Sequence, residues 1–327
     1  MHFLLGISSI SLFTFGSYLA LRLLHNIGSW AQRRYMQCFV LLVPLASLGL
    51  GLAGLHHFSG RACLRSAPVW DSLLELALPL GMGLIVLGAL SFGVLRLSLI
   101  TRVVARRGVR AGPDLQLLAD HLAERLGATR AQVRLWGYDR PLALTCGVFR
   151  PTILLSTWMV RHLDHRELEA VLAHELEHVA RRDYPVMWLA TVLRDAFFYL
   201  PTSWAAYRQL SHEKELVCDD LAAGSTHRPL ALASALAKVW QDAVEEPGFV
   251  RLGLAQPLLG AGESINGRIE RLLAPPAPTT SRQSTQLGAL RTSMLVFAGL
   301  LLLEAANVTL MLALMGCGPV LLLGRLF

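Results

Sequence analysis

The sequence predicts an α-helical integral membrane protein of about four transmembrane helices, with a mainly helical α+β domain between the third helix and the fourth. Three observations carry this. Segments 3–24, 36–55, 74–100 and 294–315 are apolar and reach about 20 residues, the length that crosses the hydrocarbon of a bilayer. Hydrophobic residues make up 54% of the 327, above the roughly 45–50% of soluble domains. Between the third and fourth segments the pattern changes to amphipathic and alternating runs punctuated by Gly and Pro.

The first segment has the wrong polarity for a cleaved leader. No Lys or Arg stands at its front, and its basic residues follow its apolar run, so a retained helix is expected. Arg22, Arg33 and Arg34 lie between the first and second segments, and Arg96, Arg102, Arg106, Arg107 and Arg110 crowd the end of the third. The positive-inside rule puts both clusters in the cytoplasm. The N-terminus and the hairpin 56–72 are then external, although Arg61 and Arg65 weaken the contrast, and 101–292 is cytoplasmic. Juxtamembrane arginine facing anionic lipid accounts for much of the formal charge of +7. No basic stripe interleaved with aromatics suggests a nucleic-acid surface.

The cytoplasmic part opens with an amphipathic helix over 113–126, stopped by Gly127. Short strands follow at 132–136, 143–146 and 152–155, with Gly147 and Pro151 marking a turn. Asp164 then caps a helix, with Glu167 completing a capping box. Leu168, Val171, Leu172, Leu176 and Val179 form its buried stripe, while Arg181, Arg182 and Asp183 are expected at its wet end. After Pro185, segment 186–199 reads as a core helix, or as one lying against the inner leaflet. The folded domain is expected to end with 268–273, and 275–292, rich in Pro, Ser and Thr, reads as a linker. The expected plan is a membrane region over 1–100, a domain over 101–274, the linker, and a last helix with a short tail over 293–327.

The chemistry gathers in Ala173-His174-Glu175-Leu176-Glu177-His178. Histidines four apart share a helical face, so both imidazoles can reach one Zn²⁺, and Glu175 can take a proton from its water. A third ligand is needed. Glu215 and Asp219, also four apart, offer one carboxylate for the metal and another to accept the second N–H of a ligating histidine. Glu213 and Lys214 read as a solvated surface pair. His212, three residues before Glu215, is a candidate contact to substrate or oxyanion, or else a surface histidine. Arg208, Tyr207 and His227 are further oxyanion candidates, and the sequence does not choose among them. The five cysteines form no zinc pattern. Cys218 is expected to point off the ligand face and to pack, and Cys63 and Cys317 could pair on the external side.

These motifs resemble the BlaR/MecR-type membrane metallopeptidases, relatives of HtpX and the prenyl-protein CAAX proteases. The matching text is Gly147-Val148-Phe149-Arg150-Pro151-Thr152-Ile153-Leu154-Leu155, the run from Leu168 to Tyr184, and Glu215-Leu216-Val217-Cys218-Asp219. The resemblance implies a zincin-like metalloprotease domain with one Zn²⁺ per chain on His174, His178 and Glu215. It implies Glu175 as general base, Asp219 orienting a ligand, and an edge strand aligning substrate. The expected location is the bacterial inner membrane, multi-pass, with the protease domain cytoplasmic. The expected partners are lipid and a protein or peptide substrate, including a cytoplasmic transcriptional repressor or the chain itself, with no direct nucleic acid. An external penicillin-binding sensor domain is expected to be missing. Two alternatives stand: an HtpX-like quality-control protease, and a non-catalytic signalling scaffold with structural zinc, against which Glu175 argues.

Overall fold

A computed structural model describes residues 30–58, 69–245 and 262–274, together with isolated helical positions at 16–19 and 291–306. Its elements in chain order are α1 (Trp30–Phe58), α2 (Val69–Arg107), β1 (Val109–Arg110), α3 (Pro113–Leu126), β2 (Gln132–Trp136), β3 (Ala143–Cys146) and β4 (Thr152–Ser156). Then follow α4 (Thr157–His162), α5 (His165–Ala180), α6 (Asp183–Ala196), α7 (Pro201–Thr226), α8 (Pro229–Glu245) and α9 (Gly262–Leu273). The chain divides into two units.

One unit comprises Met1–Ser91, Ala190–Leu210 and Ser281–Phe327. Helix α1 contains the expected segment 36–55 and runs through Pro44 without a break. In its α6–α7 part, Arg194 pairs with Asp195 at 2.6 Å. The same guanidinium lies over the Trp204 and Tyr207 rings, at 4.8 and 4.4 Å, a cation–π arrangement that covers the charge with aromatic faces. Most of the expected spans 3–24 and 294–315, the linker 275–292, and Cys63 and Cys317 lie outside the described residues.

The second unit comprises Phe92–Leu189 and Ser211–Thr280. Among the described residues one stretch is long and apolar enough to cross a membrane, Leu80–Val104 in α2, with 6% of it buried. At 1.5 Å per residue it is about 37 Å long, more than the roughly 30 Å of hydrocarbon. Helix α2 contains the whole of the expected 74–100 and runs on unbroken to Arg107. Of the four expected spans this is the one found among the described residues; α1 covers 36–55 as helix.

Past α2 the chain forms a four-stranded sheet in the order β1-β2-β4-β3. Strands β2 and β4 are parallel, and the outer pairs are antiparallel. The two faces of β4 serve different cores, as period-two alternation requires. Ile153 and Leu155 join a core built with Leu122 of α3, Leu172 and Leu176 of α5, Leu236 of α8 and Ile265 of α9. Leu154 faces the other way, against Val104 and Cys146, with Ile100, Trp136 and Tyr184 around them. The end of the span is thereby packed onto the sheet.

Local signals set the ends of the elements. Helix α3 starts with Pro113 at a position where a missing N–H costs nothing, and stops at Gly127 in the left-handed conformation (φ 62°). Helix α5 begins with the expected capping box: Asp164 accepts from the Glu167 N–H, and the Asp164 N–H donates to Glu167. Helix α6 starts at Asp183, before Pro185 rather than after it, since proline is tolerated in a first turn.

Candidate metal centre

Helix α5 presents His174 and His178 one turn apart, both buried, with ring centroids 4.8 Å apart and planes at 89°. Helix α7 brings Glu215 to them. His174 Nε2 lies 3.4 Å from Glu215 Oε2, and His178 Nε2 lies 3.9 Å from Glu215 Oε1. Two ligand atoms about 2.1 Å from one Zn²⁺ at a tetrahedral angle are about 3.4 Å apart, so the set has the spacing of a zinc site. His174 Nε2 and Glu215 Oε2 are buried and, although 3.4 Å apart, make no well-formed hydrogen bond among the described residues. Buried polar atoms are nearly always satisfied. Orphans on two residues facing one point are what a site for a cation leaves, and the donors fit Zn²⁺.

Each ring turns its other nitrogen to a carboxylate. His174 Nδ1 lies 2.9 Å from Asp219 Oδ1, and His178 Nδ1 donates to Asp183 Oδ2 at 2.9 Å. Both contacts leave Nε2 as the atom aimed at Glu215. Asp219 is the expected carboxylate; Asp183 corrects the sequence reading. Far from standing at a wet helix end, Asp183 is buried and held by Arg181 Nε at 3.3 Å. Arg182, with φ 54°, turns the chain so that the next residue folds back onto the site.

Two cations balance these carboxylates. Arg268 of α9, only 2% exposed, grips Asp219 through Nε–Oδ2 at 2.6 Å and Nη2–Oδ1 at 2.8 Å. Its Nη1 lies 3.4 Å from Glu215 Oε2. Lys214 does not form a solvated pair with Glu213: its Nζ lies 2.9 Å from Glu215 Oε1. Burial would raise the Glu215 carboxyl, but Lys214, His174, His178 and Arg268 hold it well below the usual range. Burial likewise opposes charge on His174, yet Asp219 and Glu215 outweigh it and hold that imidazole up to about 9. Arg268 was missed from the sequence, where nothing marks it among the other arginines.

Glu175, buried beside His174, has its own support. Thr145 of β3 donates to Glu175 Oε2 at 2.7 Å. Cys218 also departs from expectation: rather than pointing off the ligand face, its thiol lies 3.2 Å from His178 Nδ1 and 3.5 Å from Asp183 Oδ2. Burial, then the Asp183 charge, push this thiol well up, so it is held as a neutral packing group. His178, Asp183 and Cys218 form a second cluster of donor atoms. His212 is exposed, as is His227, and neither is among the polar partners of the cluster in the described residues. Tyr207 sits under Arg194. The structure brings together His174, Glu175, His178, Glu215 and Asp219, and leaves His212 on the surface.

Comparison with known proteins points the same way. Residues 114–229 match the family model described as BlaR1 peptidase M56, a segment that holds both histidines, Glu175, Glu215 and Asp219. The chain is 31% identical to Protease HtpX homolog 1 of Streptomyces coelicolor over 41% of its own length and 56% of that protein's. It is 27% identical to a Protease HtpX homolog of Gemmatimonas aurantiaca over 71% and 93%. It is 35% identical to a homolog from Pyrobaculum calidifontis over 35% of each. The chain thus spans about half the length of the first of these relatives and nearly all of the second. The segment that carries the cluster is similar to a membrane metallopeptidase family.

Proposed function

We propose that this protein is a membrane-embedded zinc endopeptidase, with His174, His178 and Glu215 as metal ligands, Glu175 as general base, and Asp219 and Asp183 orienting the two rings. The observation that carries this is the convergence of His174 Nε2, His178 Nε2 and a Glu215 carboxylate with buried, unsatisfied atoms among them. Zinc held there supplies Lewis acidity, which acidifies water and polarises a carbonyl. Glu175 accepts the proton of the attacking water and returns it to the leaving amine. Thr145 fixes the Glu175 carboxylate for both transfers. Strand β3 ends the sheet order, and an extended peptide can add along such an edge, which would carry the substrate backbone past the residue that holds Glu175.

Cleavage close to the membrane is supported by two contacts, and the cytoplasmic side by the arginines that crowd the end of α2. Trp188 Nε1 of α6 donates to the Gly93 carbonyl inside the span at 2.9 Å, and Tyr184 packs with Ile100 and Val104. Helix α6, which opens at Asp183 beside His178, therefore runs along the span from its end inward. The proposed topology is a multi-pass protein of the bacterial inner membrane, with four spans, an external N-terminus and a cytoplasmic domain over 101–274. The proposed role is regulated proteolysis, of a cytoplasmic repressor or of the chain itself. The HtpX names of the relatives support quality-control cleavage of membrane proteins as the second reading.

Purified Glu175→Ala should keep its zinc and lose proteolysis. In cells, N-terminal mapping of the fragments that vanish in this variant identifies the substrate. Equal cleavage by wild type and variant would reject the enzyme in favour of a scaffold.

A further inference from the structure

We propose that the pocket at the end of α2 binds the headgroup of an anionic phospholipid, with the turn 147–151 as a wedge set into the membrane surface. The pocket, about 410 Å³, is walled by Thr101 and Val104 of α2, by Arg134 of β2, and by Phe149 and Arg150 of the turn. That volume has room for a glycerophosphate headgroup.

Its depth follows from the span. The apolar run of α2 gives way to Arg106 and Arg107 after Ala105, and Thr101 stands about 6 Å before Ala105 along the helix at 1.5 Å per residue. The pocket is therefore level with the boundary between hydrocarbon and headgroups. Positive charge is concentrated at the same level. Arg134 and Arg150 line the pocket, and Arg102, Arg106 and Arg107 are exposed on the last turns of α2. Near an anionic leaflet each basic side chain adds to the attraction.

Apolar surface continues from this charge, which selects a lipid over a soluble anion. Phe149 is 95% exposed and Val148 is 42% exposed. On the pocket side of α2, Val94, about two turns before Thr101, is 51% exposed, where an acyl chain would run. The wedge is stiff. Gly147 has φ 97°, and a methyl there would strike the Arg150 carbonyl oxygen, so only glycine permits this turn. Pro151 fixes its far end. A rigid turn with an aromatic tip and an arginine at the neck matches the amphipathic anchors of membrane interfaces.

The consequence for the proposed peptidase rests on the reading above. Strand β3 ends at Cys146, immediately before the turn, and carries Thr145, the partner of Glu175. A lipid held at the turn would fix this edge strand against the membrane.

The test uses full-length protein, delipidated in detergent and titrated with phosphatidylglycerol, phosphatidylcholine or inorganic phosphate, with adducts counted by native mass spectrometry. Wild type should hold phosphatidylglycerol at least tenfold more tightly than phosphatidylcholine, and millimolar phosphate should not displace it. Arg150→Glu and Phe149→Ser should each lower that affinity at least tenfold, Arg150→Lys should largely preserve it, and Arg166→Glu, an exposed change on α5, should not alter it. Unchanged binding in both Arg150→Glu and Phe149→Ser, equal affinity for the two lipids, or displacement by phosphate would each overturn the proposal. Zinc content of the same samples reports the metal centre separately, so failure of the lipid site and failure of the peptidase reading are told apart.

Discussion

Replacing Arg268 by Met tests how far the metal centre depends on a helix that follows it by about fifty residues. Arg268 makes two parallel hydrogen bonds to Asp219 and approaches Glu215, and all three residues are buried. Methionine fills similar space but leaves two carboxylates without their guanidinium. Removing one partner of a buried pair costs about 3–5 kcal/mol. At roughly 2–4 °C per kcal/mol for a domain of this size, Tm should fall by about 6–20 °C. Asp219 would also lose the grip that aims it at His174, so zinc affinity should fall about 10–100-fold. Lysine restores the charge without the fork of parallel donors and should lie between methionine and wild type in both readouts. The assays are thermal unfolding of the full-length protein in detergent and zinc competition against a calibrated chelator. A Met variant within 1 °C and twofold of wild type would refute the reasoning that Arg268 holds the centre together.

The remaining predictions follow from the same contacts. Metal binding should be pH-dependent: the metal-free protein keeps a proton on His174 up to about pH 9, and an ion must displace it. Apparent zinc affinity should therefore rise up to tenfold per pH unit and level off above about 9, with a proton released that calorimetry in buffers of different ionisation enthalpy will register. Because this folded-state pKa is raised, the proton stabilises the metal-free fold fully below about 6.5 and no longer above about 9. Asp183→Asn should weaken zinc binding about 10–100-fold by loosening His178, again read by chelator competition. Thr145→Val should leave zinc content unchanged and lower kcat about tenfold or more by freeing the Glu175 carboxylate. An unchanged kcat would remove Thr145 from the account.

What could be read in advance was what local spacing decides. Capping residues placed α5, Pro113 and Gly127 bounded α3, and alternation found β2 and β3 at their observed limits. The four-residue periodicity of a helix put His174 with His178 and Glu215 with Asp219. The misreadings share one cause: partners supplied by tertiary packing. Asp183 follows two arginines and looks solvated until Arg182 turns the chain back. Arg268 comes from a helix whose sequence resembles a charged surface segment. Lys214 looks like the neighbour of Glu213, yet it extends to Glu215. Cys218 and His212 are each three residues from Glu215, about 60° around the helix; Cys218 lies on the side that meets α5, whereas His212 is open to solvent. Hydropathy marked the apolar run of α2 but not that the helix continues to Arg107 with Val104 packed on Cys146 and Leu154.

The most direct measurement is zinc K-edge absorption spectroscopy on the purified full-length protein, together with metal analysis. Two imidazoles and a carboxylate from this chain predict one zinc per chain, nitrogen and oxygen scatterers at about 2.0–2.2 Å, and no sulfur. A sulfur scatterer at about 2.3 Å would move the ion to His178, Asp183 and Cys218. That result, or a protein free of zinc, would contradict the account.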